Sequence, residues 1–509
     1  MAGKKRFAIN VGMNWVAMAT GMVVPFFLSP FIVRHLGPIG YGVWILAVST
    51  VSYLNLLDMG LRSSIVRYVS KNSAIENVIE AQKAIGAALW VRAGISIIIS
   101  LLSIALALAF PHFFRVPPDL QRAGQITVLL CALGVSVTMT SGVFGAVLSG
   151  ISRFDVLSLI SAGQTIARAV GVFLILRSGL GLVALAYWEL AIALVSGIVT
   201  GAAALKIYPP CRIPLRRPDI ATLKMIWAYS FKTFIIIIAV QIVFYTDNLV
   251  VGAFISVGAV TLYSIAGNLA MYSGQVSSAM GSTFIPMASN LEATGQGKDL
   301  QKLLLRGTQA ALGLMLPIGI TLLLRGKTFI GLWMGQQYSQ TSGTILQILL
   351  ISQFFTIANS TAGQIAYGID KHKSAAIWSA IEAAFNLTLS IILVKTIGLY
   401  GVAWGTAISM AIIHMIFWPR FVKKELGVPV RQYLWQGWAK MTLCVLPFAI
   451  VSYWMDTRWH PKSKLIFFSQ VALALPLFAL TVLAVFNEEA LAIYRRWSAS
   501  RVANISTMS

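Results

Sequence analysis

Again and again along this sequence, charged or turn-forming residues give way to apolar runs of about 20 residues, the length an α-helix needs to cross hydrocarbon. Fourteen such runs can be marked, near 8–33, 40–60, 84–110, 123–148, 156–177, 182–204, 226–254, 259–287, 307–324, 341–366, 374–395, 400–418, 437–455 and 464–485. Lipid offers no hydrogen-bond partners, so a chain crossing it this often must satisfy its backbone inside helices. An all-α polytopic membrane protein with about 14 transmembrane helices is therefore expected. Composition agrees: 11% of the residues are charged, whereas a soluble domain carries about a quarter. No long stretch is left over for a soluble catalytic domain. The start, MAGKKRFAIN, resembles the basic region of a signal peptide, but the following apolar run is too long for one and is read as an uncleaved first helix.

The formal net charge is +23. The basic residues are scattered between apolar runs and form no basic domain, so nucleic acid is not an expected partner. Topology and contact with anionic lipid account for them. Alternate loops divide the Lys and Arg residues 26 to 10, with three more inside spans. The richer side holds both ends of the chain, which predicts cytoplasmic termini. Three cysteines, Cys131, Cys211 and Cys444, are too far apart in sequence to suggest a metal site or a disulfide framework.

Two stretches recur. GLGLVALA at 179–186 is similar to GLYGVAWG at 398–405, an offset of 219. Gly145, Gly150 and Ile151 match Gly363, Gly368 and Ile369, with Arg153 against Lys371, an offset of 218. The offset covers six spans, an even number, so corresponding helices run the same way. Two six-helix lobes related by a parallel repeat are expected, with the substrate site between them. The boundaries read as an N-terminal lobe at 1–205, a basic cytoplasmic linker at 206–225, a C-terminal lobe at 226–420, and helices 13 and 14 with a cytoplasmic tail at 421–509.

The segment RHLGPIGYGVWILAVSTVSYLNLLDMGLRSSIVRYVS at 34–70 carries a family resemblance. Its Leu36, Gly37, Tyr41, Gly42, Trp44, Leu56, Leu57, Asp58, Gly60, Leu61, Arg67 and Tyr68 resemble the N-terminal signature of bacterial oligosaccharide flippases and polysaccharide exporters. That family belongs to the multidrug/oligosaccharidyl-lipid/polysaccharide exporter superfamily. The resemblance implies twelve helices in two lobes, often with two more. It also implies an undecaprenyl-diphosphate-linked saccharide flipped outward by alternating access. The sequence has no Walker loop, metal-ligand cluster or serine–histidine–acid arrangement, so no enzymatic activity is expected, and glycosyltransferases and a polysaccharide polymerase are expected partners. The rivals are a cation-coupled multidrug exporter of the same superfamily and an integral-membrane glycan polymerase or transferase. The latter usually carries a longer outer loop than any here.

Charges inside a membrane are costly, so each is a candidate site. Seven titratable residues fall within spans: Arg92, Arg168, Glu189, Lys232, Asp247, Glu382 and His414. Gln164 and Arg168 share a helix face four residues apart, and their repeat equivalents are Glu382 and Asn386. Arg92, Arg168 and Lys232, with Gln164 and Asn386, are the expected substrate-binding residues, because cations suit a diphosphate. The structural alternative is an Arg168–Glu382 bridge between lobes. No cofactor or metal is expected. A coupling proton or sodium ion would need a carboxylate, Glu382 first and Asp247 second. Asp58 is expected in a loop salt-bridge cluster with Arg62 and Arg67, Arg325 and Lys327 in an outer loop, and Gly142 and Gly145 in close helix packing. Trp44, Trp188, Trp333 and Trp459 read as an aromatic belt, and EEALAIYRRWSASR at 488–501 as an interfacial tail.

Overall fold

A computed structural model describes residues 2–211, 245–281 and 283–486, with 234, 238, 241 and 242 between them. Every regular element among the described residues is helical, as a lipid solvent demands. The helices are α1 (Ala2–Ser52), α2 (Leu61–Ala74), α3 (Val78–Phe114), α4 (Pro118–Gly150), α5 (Phe154–Arg177), α6 (Leu182–Ile207) and α7 (Val257–Gly281). They continue as α8 (Phe284–Ala293), α9 (Gly297–Trp333), α10 (Gln336–Gly368), α11 (His372–Ile397), α12 (Leu399–Leu426), α13 (Val430–Arg458) and α14 (Lys464–Val485). Eleven of the described helices are long and apolar enough to cross a membrane.

The first of these eleven holds two expected spans. Gly37 breaks it with φ 71 and ψ 170, a backbone shape open to glycine, and Pro38 follows. The expected seventh span, 226–254, falls largely outside the described residues; its end, 245–254, is helical. The eighth corresponds to α7. α3 and α9 are 37 residues each, about 55 Å of helix, so both outrun the hydrocarbon. Prolines inside spans are compensated locally. Ser29 Oγ donates to the Pro25 carbonyl and Thr321 Oγ1 to the Pro317 carbonyl, each at 2.7 Å. In α13 a π-helical turn, Tyr433–Ala439, is accompanied by Gln309 Nε2 donating to the Gln436 carbonyl at 2.9 Å.

The repeat is visible in the backbone. Ser152 and Asp370, 218 residues apart, both have positive φ (59° and 54°), as do Gly179 and Gly398 (73° and 62°), 219 apart. The chain thus turns the same way between α4 and α5 as between α10 and α11, and again after α5 as after α11.

The chain forms two compact units, Met1–Ser264 with Ser379–Val402, and Ile265–Trp378 with Ala403–Ser509. In the first, α3 packs on α4, α4 on α6, and α1 on α5. Its core gathers Ile65, Val69, Ile85, Val143 and Cys211. Cys211 ends a short turn, Pro209–Cys211, seated against α3 and α6. In the second unit α9 packs on α10, and α13 and α14 pack on α9.

Helix α9 corrects the outer-loop reading of Arg325 and Lys327. The helix continues through both, and Arg325 is wholly buried. Its Nε donates to Asp456 Oδ1 at 3.1 Å, an Nη hydrogen-bonds Gln470, and the guanidinium lies 4.6 Å from the centre of the Phe467 ring. The ion pair and ring make burial of the charge tolerable, so the helix need not stop there. Trp333 is likewise a core residue, stacked with Phe329, and no part of a belt.

Candidate functional site

The first unit holds an open cavity of about 620 Å³. Its walls are α1, the 3₁₀ turn that follows (Tyr53–Asp58), and α2 to α6. α1 to α3 and the turn contribute Asn14, Asn55, Asp58, Arg62 and Arg92. α4 to α6 contribute hydroxyls, among them Ser141, Ser161, Ser196 and Thr200, and the amide of Gln164. Such a surface offers two guanidinium groups, one carboxylate and many neutral hydrogen-bonding groups. It suits an anionic, hydroxyl-rich ligand.

Arg92 and Asp58 form the charged part. The 3₁₀ turn ends in two left-handed residues, Met59 (φ 47) and Gly60 (φ 77), which reverse the chain into α2. Asp58 is thereby turned inward, and one Arg92 Nη hydrogen-bonds its Oδ1. The other Nη donates to the Met139 carbonyl of α4 at 3.0 Å. Arg92 is 3% exposed. Asp58 accepts a 3.5 Å bond from the Arg62 backbone N–H, but its ionic partner is Arg92. The expected loop cluster of Asp58 with Arg62 and Arg67 is corrected accordingly: the turn's handedness, not sequence proximity, decides which cation it meets. Gly142 also has a different task from helix packing. A Cβ there would lie 2.7 Å from Arg92 Nη1, so the glycine makes room for the guanidinium.

Gln164 lines the same cavity and accepts a 3.4 Å hydrogen bond from Ser196 Oγ. Arg168, one turn further along α5, does not line it. Its Nε lies 2.9 and 3.0 Å from the two carboxylate oxygens of Glu189 on α6. Arg168 is thus bridged within its own half of the chain, and the Arg168–Glu382 bridge is not what forms. On α11, Glu382 and Asn386 are both buried. Asp247 is buried and accepts a 2.6 Å bond from the Tyr263 hydroxyl. Its neighbours Thr246 and Asn248 reach Tyr53 (2.5 Å) and Ser49 (3.4 Å). His414 Nδ1 lies 3.1 Å from the Phe355 carbonyl. Lys232 lies outside the described residues.

The structure therefore brings Arg92 and Gln164 to one cavity and adds Asp58, Arg62 and a wall of hydroxyls that sequence reasoning passed over. The missed signal was periodic: Ser158, Ser161, Gln164 and Arg168 recur every three or four residues along one face of α5. Among the described residues no group of His, Cys, Asp and Glu comes together to hold a metal ion.

The polysaccharide biosynthesis protein family profile matches residues 7–292. The chain is 25% identical over 460 residues to the uncharacterized membrane protein EpsK of Bacillus subtilis, covering 84% of this chain and 85% of that one. It is 22% identical over 436 residues to the probable low-salt glycan biosynthesis flippase Agl15 of Haloferax volcanii, covering 85% and 86%. Its fold is similar to that of the lipid II flippase MurJ in an inward closed conformation, with TM-score 0.73 at 16% identity over 95% of this chain and 99% of that one. The chain belongs to the polysaccharide biosynthesis protein family and is a multi-pass helical membrane protein.

Proposed function

We propose that this protein is a flippase of the inner membrane, with both termini cytoplasmic. It moves a polyprenyl-diphosphate-linked oligosaccharide from the cytoplasmic to the outer leaflet by alternating access, for cell-surface polysaccharide synthesis. The observation that carries the reading is the cavity of the first unit, where Arg62 and Arg92 share walls with serine, threonine and amide side chains. The guanidinium groups suit a diphosphate and the hydroxyls suit a sugar. The cavity is built mainly from the first six helices, the proposed N-terminal lobe. Lys232 and Asn386 complete the proposed substrate-binding set. Glycosyltransferases would supply the lipid-linked substrate and a polymerase would consume it.

The basic excess suits contact with anionic lipid. Glu382 and Asp247 are the proposed groups for coupling to a proton or sodium gradient. The test is reconstitution of the full chain in liposomes with a fluorescent polyprenyl-diphosphate-linked disaccharide. Wild type should transfer it between leaflets. Arg92→Gln should slow transfer by about 100-fold, the scale of a lost charged contact. Glu382→Gln should abolish any response to an imposed gradient while leaving slow downhill transfer. A wild type that leaves the probe in its original leaflet would rule the flippase reading out.

A further inference from the structure

The polar surface does not end where the cavity does. On α5 the polar face runs Ser158, Ser161, Gln164, Arg168. Ten residues of helix carry it about 15 Å along the axis. On α6, Ser196 and Thr200 line the cavity, and Glu189 lies about two turns beyond Ser196. α5 thus carries a polar face from the hydroxyl-rich wall to the Arg168–Glu189 pair, whereas residues 190–195 of α6, between Ser196 and Glu189, are apolar.

The pair's geometry is unusual for a simple brace. Nε faces both carboxylate oxygens, at 2.9 and 3.0 Å. Among the described residues, the two terminal nitrogens of Arg168 make no hydrogen bond, and 43% of its side chain is exposed. A bridge built only to bind two helices would engage the bidentate fork. Here Glu189 holds the guanidinium by its base and leaves the fork open, the part that recognises a phosphate.

At the cavity Arg92 is also paired with a single carboxylate, Asp58, although there both Nη atoms are engaged, one by Asp58 and the other by the Met139 carbonyl. One carboxylate per arginine has two consequences. It offsets the cost of a charge at depth. It also weakens the hold on an incoming anion, because a site on a path must bind well enough to be entered and weakly enough to be left.

We infer that Arg168, positioned by Glu189, is a second diphosphate station, reached along the polar face of α5 after the Arg62–Arg92 cavity. The inference rests on the flippase reading and adds to it a path inside the first unit. Arg168 contacts the ligand, and Glu189 is a positioning residue that also promotes release.

The experiment uses the full chain with fluorescent polyprenyl-diphosphate-linked N-acetylglucosamine, scoring both equilibrium binding and transfer between leaflets. The double variant Arg168→Gln/Glu189→Gln removes the charges together and leaves no unpaired partner. A second station predicts normal protein yield, binding within about 2-fold of wild type, and transfer slowed by about 10-fold or more. Glu189→Gln alone should tighten binding by about 3-fold or more while slowing transfer, because the counter-charge that favours release is gone. Arg168→Lys should fold normally and transfer at an intermediate rate, keeping charge but losing the fork. Wild-type transfer by the double variant, or Glu189→Gln with unchanged affinity, would leave the pair a structural brace while the flippase reading stands. A wild type that never moves the probe would overturn both.

Discussion

Arg325 and Arg92 show how a membrane protein keeps a guanidinium out of water. Arg325 has an ion pair with Asp456, a hydrogen bond to Gln470 and an aromatic face in Phe467. Gln470 in turn donates to the Trp459 carbonyl at 2.7 Å, and Thr328 to Asp456 at 3.1 Å. The cluster ties α9 to α13 and α14. Removing one member leaves the other charge with no counterpart, which costs more than removing both. Arg325→Met should therefore lower stability by about 3 kcal/mol, read as unfolding by tryptophan fluorescence in detergent. The paired variant Arg325→Met/Asp456→Leu should recover most of that loss. Equal losses in the two variants would mean that packing, not charge, holds the two C-terminal helices in place. Arg92 is accommodated differently, by a missing side chain at Gly142 and by carbonyl and carboxylate acceptors. The place of Arg92 within a span was readable in the sequence, but that of Arg325, expected in an outer loop, was not. Nor was it readable which acid meets which base, because the pairs Asp58–Arg92 and Arg325–Asp456 join residues 34 and 131 positions apart.

At the scale of elements, Gly37 separates two spans that the helix geometry would otherwise run together. A Cβ at Gly37 would meet nothing within 4 Å, so substitution there tests backbone conformation alone. With φ 71 and ψ 170, Gly37→Ala should cost about 1–3 kcal/mol and lower the unfolding temperature without altering the cavity. Loss of more than that would point to a packing role for the position. The span limits themselves were legible within a few residues for most helices, since apolar length is dictated by bilayer thickness. Their extensions were not. α3 begins at Val78 and α9 at Gly297, several residues before their apolar runs. Once a helix has formed, propagation adds a hydrogen bond per residue whatever the side-chain polarity. The polar face of α5 was half legible. Gln164 and Arg168 stand out as charged or amide groups, whereas Ser158 and Ser161 carry small hydroxyls that membrane helices also bury for packing.

For the whole molecule, the distribution of basic residues predicts which loops face which compartment. Cysteines placed at Glu76 and Gly295 should react with a membrane-impermeant maleimide only after cells are permeabilised. Cysteines placed at Asp119 and Lys462 should react in intact cells. Reversal at any of the four sites would break the orientation. The native Cys211 is a poor reporter for this purpose: it is 3% exposed, and burial pushes its thiol up to about 11. Thiolate is the reactive form, so at neutral pH the folded chain should hold Cys211 nearly inert.

The sequence alone determined that the chain crosses a membrane many times as helices and that its two halves repeat, and it predicts one orientation from its basic loops. Each of these follows from the bilayer acting as solvent: hydrocarbon thickness sets the length of a run, the lack of water forces the helix, and charge bias sets direction. The cavity and its partners were decided by tertiary structure. Depth in the membrane says that a charge must be compensated, but not by what. The left-handed turn at Met59 and Gly60, the vacancy at Gly142 and the packing of α5 against α6 select Asp58 for Arg92 and Glu189 for Arg168. Those selections depend on which helix faces meet, and hydropathy carries no record of that.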